Sequence, residues 1–210
     1  MRRLRLSLAL KKQMIEIFKE FGKLLNERFE KGVVTTEDFV RYTFFAALLR
    51  AGVSPDQVVL EYPHPKIDRA KIDTWLPSYK EGSIALEFKY DRDPPGGKNQ
   101  PKTQKAGHVF KDLKRQVLVA KEIGIRSYFV YVTSEEMAVY FRNPNNGHAE
   151  LWGLEKGTSL AIDEQYLSNK PKTFLNSIGA VFKAKVVGEY SRSLSGGNYL
   201  RVYEVMPSER

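Results

Sequence analysis

The stretch Ser83-Ile84-Ala85-Leu86-Glu87-Phe88-Lys89-Tyr90 constrains the fold more than any other segment, because its residues alternate. A period of two puts Ile84, Leu86 and Phe88 on one face of a strand and Ala85, Glu87 and Lys89 on the other, so Glu87 and Lys89 emerge side by side. Upstream, Lys71-Ile72-Asp73-Thr74-Trp75-Leu76 also reads as a strand. Residues 77–82 are short and turn-rich enough to fold it back antiparallel, which brings Asp73 opposite Glu87.

Two carboxylates close together, with a backbone carbonyl between them, suit a hard cation such as Mg²⁺, which keeps most of its waters and accepts a phosphate oxygen. Mn²⁺ would substitute. Lys89, beside that charge, is expected to have a depressed pKa, and to orient an attacking water or to neutralise charge developing on phosphorus. A Glu-x-Lys triplet also arises by chance, and an exposed Glu/Lys face is commonly just solvated. Of the 17 glutamates, however, only Glu87 has lysine two positions later, and it falls in the best-patterned strand, behind a strand that carries an aspartate.

Ahead of these strands, Thr35-Thr36-Glu37-Asp38 reads as a helix start, with Phe39, Tyr42, Thr43, Ala46 and Leu49 following at helical spacing and Gly52 and Pro55 ending it. Residues 58–62 read as a first strand. With the Asp73 and Glu87-Phe88-Lys89 elements in this order, the chain resembles the PD-(D/E)xK nuclease superfamily over about residues 35–142. The resemblance implies an α/β fold: a restriction endonuclease-like αβββαβ core with a mixed central sheet flanked by helices, plus an N-terminal helix and a C-terminal α+β extension. It also implies that Asp73 and Glu87 bind metal and that Lys89 assists the nucleophile. Ile72 stands where the motif has proline.

The segment from Glu37-Asp38-Phe39-Val40-Arg41 through Leu60-Glu61-Tyr62-Pro63 to Ile72-Asp73 is similar to the N-terminal nuclease region of type I restriction subunits. That similarity implies that Glu37 joins the catalytic group. As a structural alternative, Glu37 offsets the helix dipole and pairs with Arg41 at i,i+4. Glu61 is the competing candidate for completing the site, or a surface residue at a strand end.

After the Glu-x-Lys strand comes a proline- and glycine-rich loop and then a helix with Val109, Phe110, Leu113, Val117 and Ala120 inward. Between Arg92 and Arg115 lie seven basic residues, Arg92, Lys98, Lys102, Lys105, Lys111, Lys114 and Arg115, against two acids, Asp93 and Asp112. That local excess suits a phosphate backbone, although any one lysine alone reads as solubility. Gln116 shares a side with Leu113 and Ala120 and is placed to support the site. Ala120 stands where RecB-like relatives carry tyrosine, which argues against that subgroup. Residues 126–133, apolar on both faces, read as a central strand, and Met137-Ala138-Val139-Tyr140-Phe141 as another.

The division expected is an amphipathic helical extension over 1–34, a nuclease core over 35–142 and a C-terminal extension over 143–210 packed on that core. Met14, Phe18, Phe21, Leu25 and Phe29 form the apolar stripe of the first helix, with Lys11, Lys12, Lys19 and Lys23 outward; it packs on the core or makes a homodimer. In the extension, a helix is expected around residues 173–183 and a late hairpin across 195–198. A net charge of +9 fits a polyanion partner, no stretch spans a bilayer, and the absence of cysteine excludes a thiolate zinc site and suits the cytoplasm. His64, His108 and His148 show no ligand spacing and read as loop or surface residues. The expected activity is therefore Mg²⁺-dependent DNA endonuclease chemistry in a restriction or defence setting. The alternatives are a non-catalytic DNA-binding or assembly subunit and a structure-selective nuclease such as a Holliday-junction resolvase.

Overall fold

A computed structural model describes residues 2–34, 36–79, 82–92 and 100–208. Helices α1 (Arg2–Glu30) and α2 (Glu37–Arg50) lead into strands β1 (Val59–Pro63), β2 (Lys71–Tyr79) and β3 (Gly82–Asp91). The long helix α3 (Lys102–Ile123), strand β4 (Arg126–Ser134) and the short helices α4 (Glu135–Arg142) and α5 (Ala149–Trp152) follow. Strand β5 (Ser159–Ile162), helices α6 (Glu164–Ser168) and α7 (Lys172–Ile178), and the hairpin β6 (Ala184–Leu194) and β7 (Asn198–Pro207) complete the chain. The fold is α/β, with one seven-stranded mixed sheet in the order β1-β2-β3-β4-β7-β6-β5.

Among the neighbouring strands of this sheet, β3 and β4 run parallel and the other pairs antiparallel; α3 is the crossover between β3 and β4, as a parallel connection requires. Alternation on β4 feeds two cores. Tyr128, Val130 and Val132 face α1 and α2 with Ile84, Leu86 and Phe88. Phe129 and Tyr131 face the other layer, with Phe110, Phe141 and Phe174. The expected two-sided burial of this strand and the one-sided apolar face of β3 are both present.

The C-terminal extension does more than pack on the core. β7 pairs along β4 from Tyr128↔Glu204 to Ser134↔Asn198, so the late hairpin continues the same sheet. On its outer layer, α7 lies against α3 at Gly107, where a methyl group would meet Phe174 O at 2.8 Å. Glycine is needed there for close approach.

Several expectations change. Residues 137–141 lie in helix α4, not a strand: Ser134 precedes two acids, Glu135 and Glu136, and Arg142 closes the last turn, which is helix-start and helix-end chemistry. The buried side of α2 is Val40, Thr43, Phe44, Ala47 and Leu48, one position off the expected stripe, and Tyr42 is 61% exposed. An almost uniformly apolar helix has no single stripe by which spacing could select the face. Lys11 is not outward: its ammonium lies 2.5 Å from Glu189, whose carboxylate is buried. Met14, Phe18, Phe21 and Leu25 are buried against the sheet as expected. Among the described residues, no helix is long and apolar enough to cross a membrane.

Candidate functional site

The cleft sits where β2 and β3 meet the polar side of α3. The antiparallel register that pairs Thr74 with Leu86 and Trp75 with Ala85 puts Asp73 across from Glu87. Asp73 is then fixed from two directions: Phe88 N donates to Oδ2 at 2.8 Å, and Arg41 Nη1 donates to Oδ1 at 3.1 Å. Glu87 is only 4% exposed. Arg115 Nη1 lies 2.6 Å from its Oε1, and Gln116 Nε2 donates to Oε2 at 3.4 Å. Gln116 is in turn held by Ser127 Oγ on β4, which aims its amide at Glu87.

Lys89, on the same face of β3, reaches Glu37 Oε2 at 3.7 Å, and that oxygen also accepts from Tyr90 N at 2.9 Å. Thr36 caps α2 by accepting from Phe39 N, which sets Glu37 in the first turn, pointing to the strand. The expected Glu37–Arg41 pair is absent, since Arg41 turns instead to Asp38 and Asp73. Glu37, Asp73, Glu87 and Lys89 all line one cleft of about 510 Å³, together with Lys111, Asp112, Lys114 and Arg115 of α3.

Electrostatics distinguish these groups. Burial, then the neighbouring charge of Asp73, push the Glu87 carboxyl well above the carboxylate range, against the pull of Arg115. Burial also raises Asp73, opposed by the Phe88 amide and Arg41. Asp112 is pushed up to about 6, mainly by burial, with Lys89 and Arg115 lowering it. For Lys89, burial favours the neutral amine, but Glu37, Asp91, Asp112 and Glu87 outweigh it and hold the amine above the ordinary lysine range. That is opposite to the expected depression: four carboxylates surround one amine.

A buried carboxyl, Glu87, raised by the charge of a partly buried neighbour, Asp73, makes a donor pair that a hard cation would stabilise. Mg²⁺ commonly binds through only one or two carboxylates and keeps its remaining waters. Among the described residues no group of three or more acidic or histidine side chains is spaced to hold a metal ion. The fit therefore rests on Asp73 and Glu87 alone, which now have Arg41 and Arg115 as counter-ions.

Glu61 is not brought to this cleft. It lies on β1 opposite Asp73 of β2 but pairs with Lys71 at 2.5 Å, half exposed, and Arg41 reaches both it and Asp73. The basic residues separate. Lys111 and Lys114 line the cleft, and Arg115 is committed to Glu87. Lys102 pairs with Glu136 at 2.5 Å, and Lys105 is buried, with Nζ 3.5 Å from the carbonyl of the exposed Arg92. Lys98 and most of the loop around it lie outside the described residues.

Asp112 is the group that sequence reasoning passed over. Its only signal was being an acid three residues before Arg115 in a strongly basic segment. Two histidines lie in loops, one of the two expected settings, but neither is a surface residue. His64 is buried; its Nδ1 accepts from Lys66 N and Ile67 N, each at 3.1 Å, leaving Nε2 as the donor to Arg115 O at 3.3 Å. It thereby ties the 64–70 loop, which contributes Ile67, Arg69 and Ala70 to the cleft, to α3. His148 is wholly buried among Phe110, Tyr140, Phe141 and Phe174, with neither ring nitrogen partnered. Comparison of the chain with protein families, with curated proteins and with solved structures found no match.

Proposed function

We propose that this chain is a metal-dependent DNA endonuclease of the restriction or defence type, built on a restriction endonuclease-like core that runs α2-β1-β2-β3-α3-β4. The observation that carries the reading is the juxtaposition of a buried Glu87 with a partly buried Asp73, whose charge disfavours ionisation of Glu87, in a cleft that Lys89, Lys111 and Lys114 also line. Asp73 and Glu87 would hold Mg²⁺ or Mn²⁺, which would polarise the phosphate and lower the pKa of a bound water.

The chain's own groups have separable roles. Lys89, kept as an ammonium by the surrounding acids, would neutralise charge developing on the phosphate oxygens rather than accept a proton. Glu37 holds Lys89 in place and accepts from the strand backbone, so it acts as a positioning residue. Asp112, with a carboxyl that titrates at about 6, can take or give a proton near neutral pH. Lys111 and Lys114, on the same wall, would hold the phosphate backbone. Cytoplasmic DNA is the partner this arrangement suits.

The test is incubation with supercoiled plasmid, linear duplex and a four-way junction in Mg²⁺, Mn²⁺ or EDTA, with Asp73→Asn as control. Cutting that needs metal and is lost in the variant supports the reading. Salt-sensitive binding with no cutting would instead favour a non-catalytic DNA-binding subunit.

A further inference from the structure

Beside the cleft, on the far side of Asp73, lies a second pocket of about 350 Å³ between the outward side of α2 and the edge strand β1. Its apolar walls are Tyr42, Phe45 and Leu60; Tyr42 is 61% and Leu60 45% exposed. Its polar atoms come from Asp38, Arg41, Glu61 and Asp73. Asp73 lines both spaces, so what enters the pocket adjoins what sits in the cleft. Glu61 holds a left-handed backbone, φ 54°, which a residue with a Cβ adopts at a cost.

The two spaces differ in charge. The cleft carries six cationic side chains, Lys89, Lys111, Lys114 and Arg115 among them, to four carboxylates, a balance that draws phosphate. The pocket carries three carboxylates to one guanidinium, with Lys71 paired to Glu61 at its edge, a balance that does not draw phosphate. Aromatic and aliphatic walls with carboxylate acceptors at the rim suit a flat, uncharged, N–H-bearing ring. In a chain that binds a phosphodiester next door, that ring is a nucleobase.

We infer that the pocket formed by Tyr42, Phe45 and Leu60 takes an unpaired DNA base next to the phosphate bound in the cleft, so that the enzyme selects single-stranded or locally unpaired DNA. This rests on the nuclease reading above. A base inside an intact duplex is stacked and paired, and cannot reach the pocket unless it is extruded. An edge strand with exposed Val59, Leu60 and Tyr62 could alternatively meet a second copy of the chain, an occupant the experiment below detects.

The experiment is fluorescence anisotropy of a labelled 15-nucleotide single strand, and of the same sequence as a duplex, with wild type, Tyr42→Ala and Tyr42→Phe in EDTA. Thermal unfolding and sedimentation are run on each protein. Tyr42 is 61% exposed and is not among the residues that line the cleft, so both variants should unfold like wild type. The inference expects Tyr42→Ala to weaken the single strand roughly 5- to 150-fold, the span of losing one stacked base, with Tyr42→Phe close to wild type and the duplex unchanged. Equal losses on both forms, no loss on either, or a wild-type dimer that Tyr42→Ala dissociates would each overturn it. Cleavage assays on the same proteins separate the two claims. Metal-dependent cutting that ignores Tyr42 sinks the pocket and leaves the nuclease, whereas Tyr42-dependent single-strand binding without cutting sinks the nuclease and leaves the pocket. A wild type that binds neither form overturns both.

Discussion

Arg115 Nη1 lies 2.6 Å from Glu87 Oε1, and the same guanidinium donates through Nη2 to Lys71 O at 2.6 Å. One side chain of α3 therefore closes the Glu-x-Lys strand against the start of β2. Arg115→Ala should leave Glu87 buried without its cation. Breaking a fully buried pair costs about 3–5 kcal/mol, but Glu87 can escape by taking up a proton, so the expected loss is about 1–3 kcal/mol at pH 7. Adding Glu87→Gln to Arg115→Ala should recover most of it. Urea denaturation of the cycle in EDTA measures both; an Arg115→Ala protein as stable as wild type would show the pair to be incidental.

Two groups, the partly buried Asp112 and the buried His148, should oppose each other in acid. The Asp112 carboxyl sits at about 6, above its ordinary 3.8, so its contribution is full below pH 4 and is lost as pH rises through 6. Asp73, Glu87 and Asp91 are shifted in the same direction. His148 is held by burial at about 4, below its ordinary 6.5, so its contribution is full above 6.5 and is lost as pH falls through 4. Asp112 and His148 are each worth about 3 kcal/mol across their windows. Asp112→Asn should gain stability above pH 6 and weaken more steeply below it; His148→Phe should instead become more stable from pH 6.5 toward 4. Denaturation midpoints from pH 4 to 8 decide, and unchanged profiles in both variants would contradict the assignment.

Gly107 carries the contact between α3 and the extension. A methyl there would come within 2.6 Å of Ser177 Cβ and 2.8 Å of Phe174 O, and a backbone oxygen yields less readily than a side chain. Gly107→Ala should cost about 1–3 kcal/mol, the usual penalty of overpacking, despite alanine's better helix propensity. A thermal melt at or above that of wild type would mean that α7 moves aside freely.

Where a period or a register decided the structure, the sequence was readable. The alternation of Ile84, Leu86 and Phe88, and a short connection back from Asp73, were enough to put Asp73 and Glu87 across from one another. The order α2-β1-β2-β3-α3-β4 was legible for the same reason. Illegible were choices made by tertiary contact. Arg41 sits one helical turn from Glu37 yet pairs with Asp73, thirty-two residues away, because the strand brings a partly buried carboxylate to it. His148 does lie in a loop, but its burial was not legible: rings from three helices enclose it. Asp112 acquires its character from Lys89, Arg115 and its burial, none of which its neighbours in sequence announce.

The most direct test of the account is the rate of plasmid nicking in Mg²⁺ and in EDTA, for wild type and Lys89→Ala at equal, verified folding. The account predicts metal-dependent nicking by wild type and a loss of at least about 10²-fold in the variant, the scale of removing one preorganised charge from a transition state. Nicking by Lys89→Ala at the wild-type rate, or wild-type nicking that persists in EDTA, would contradict it.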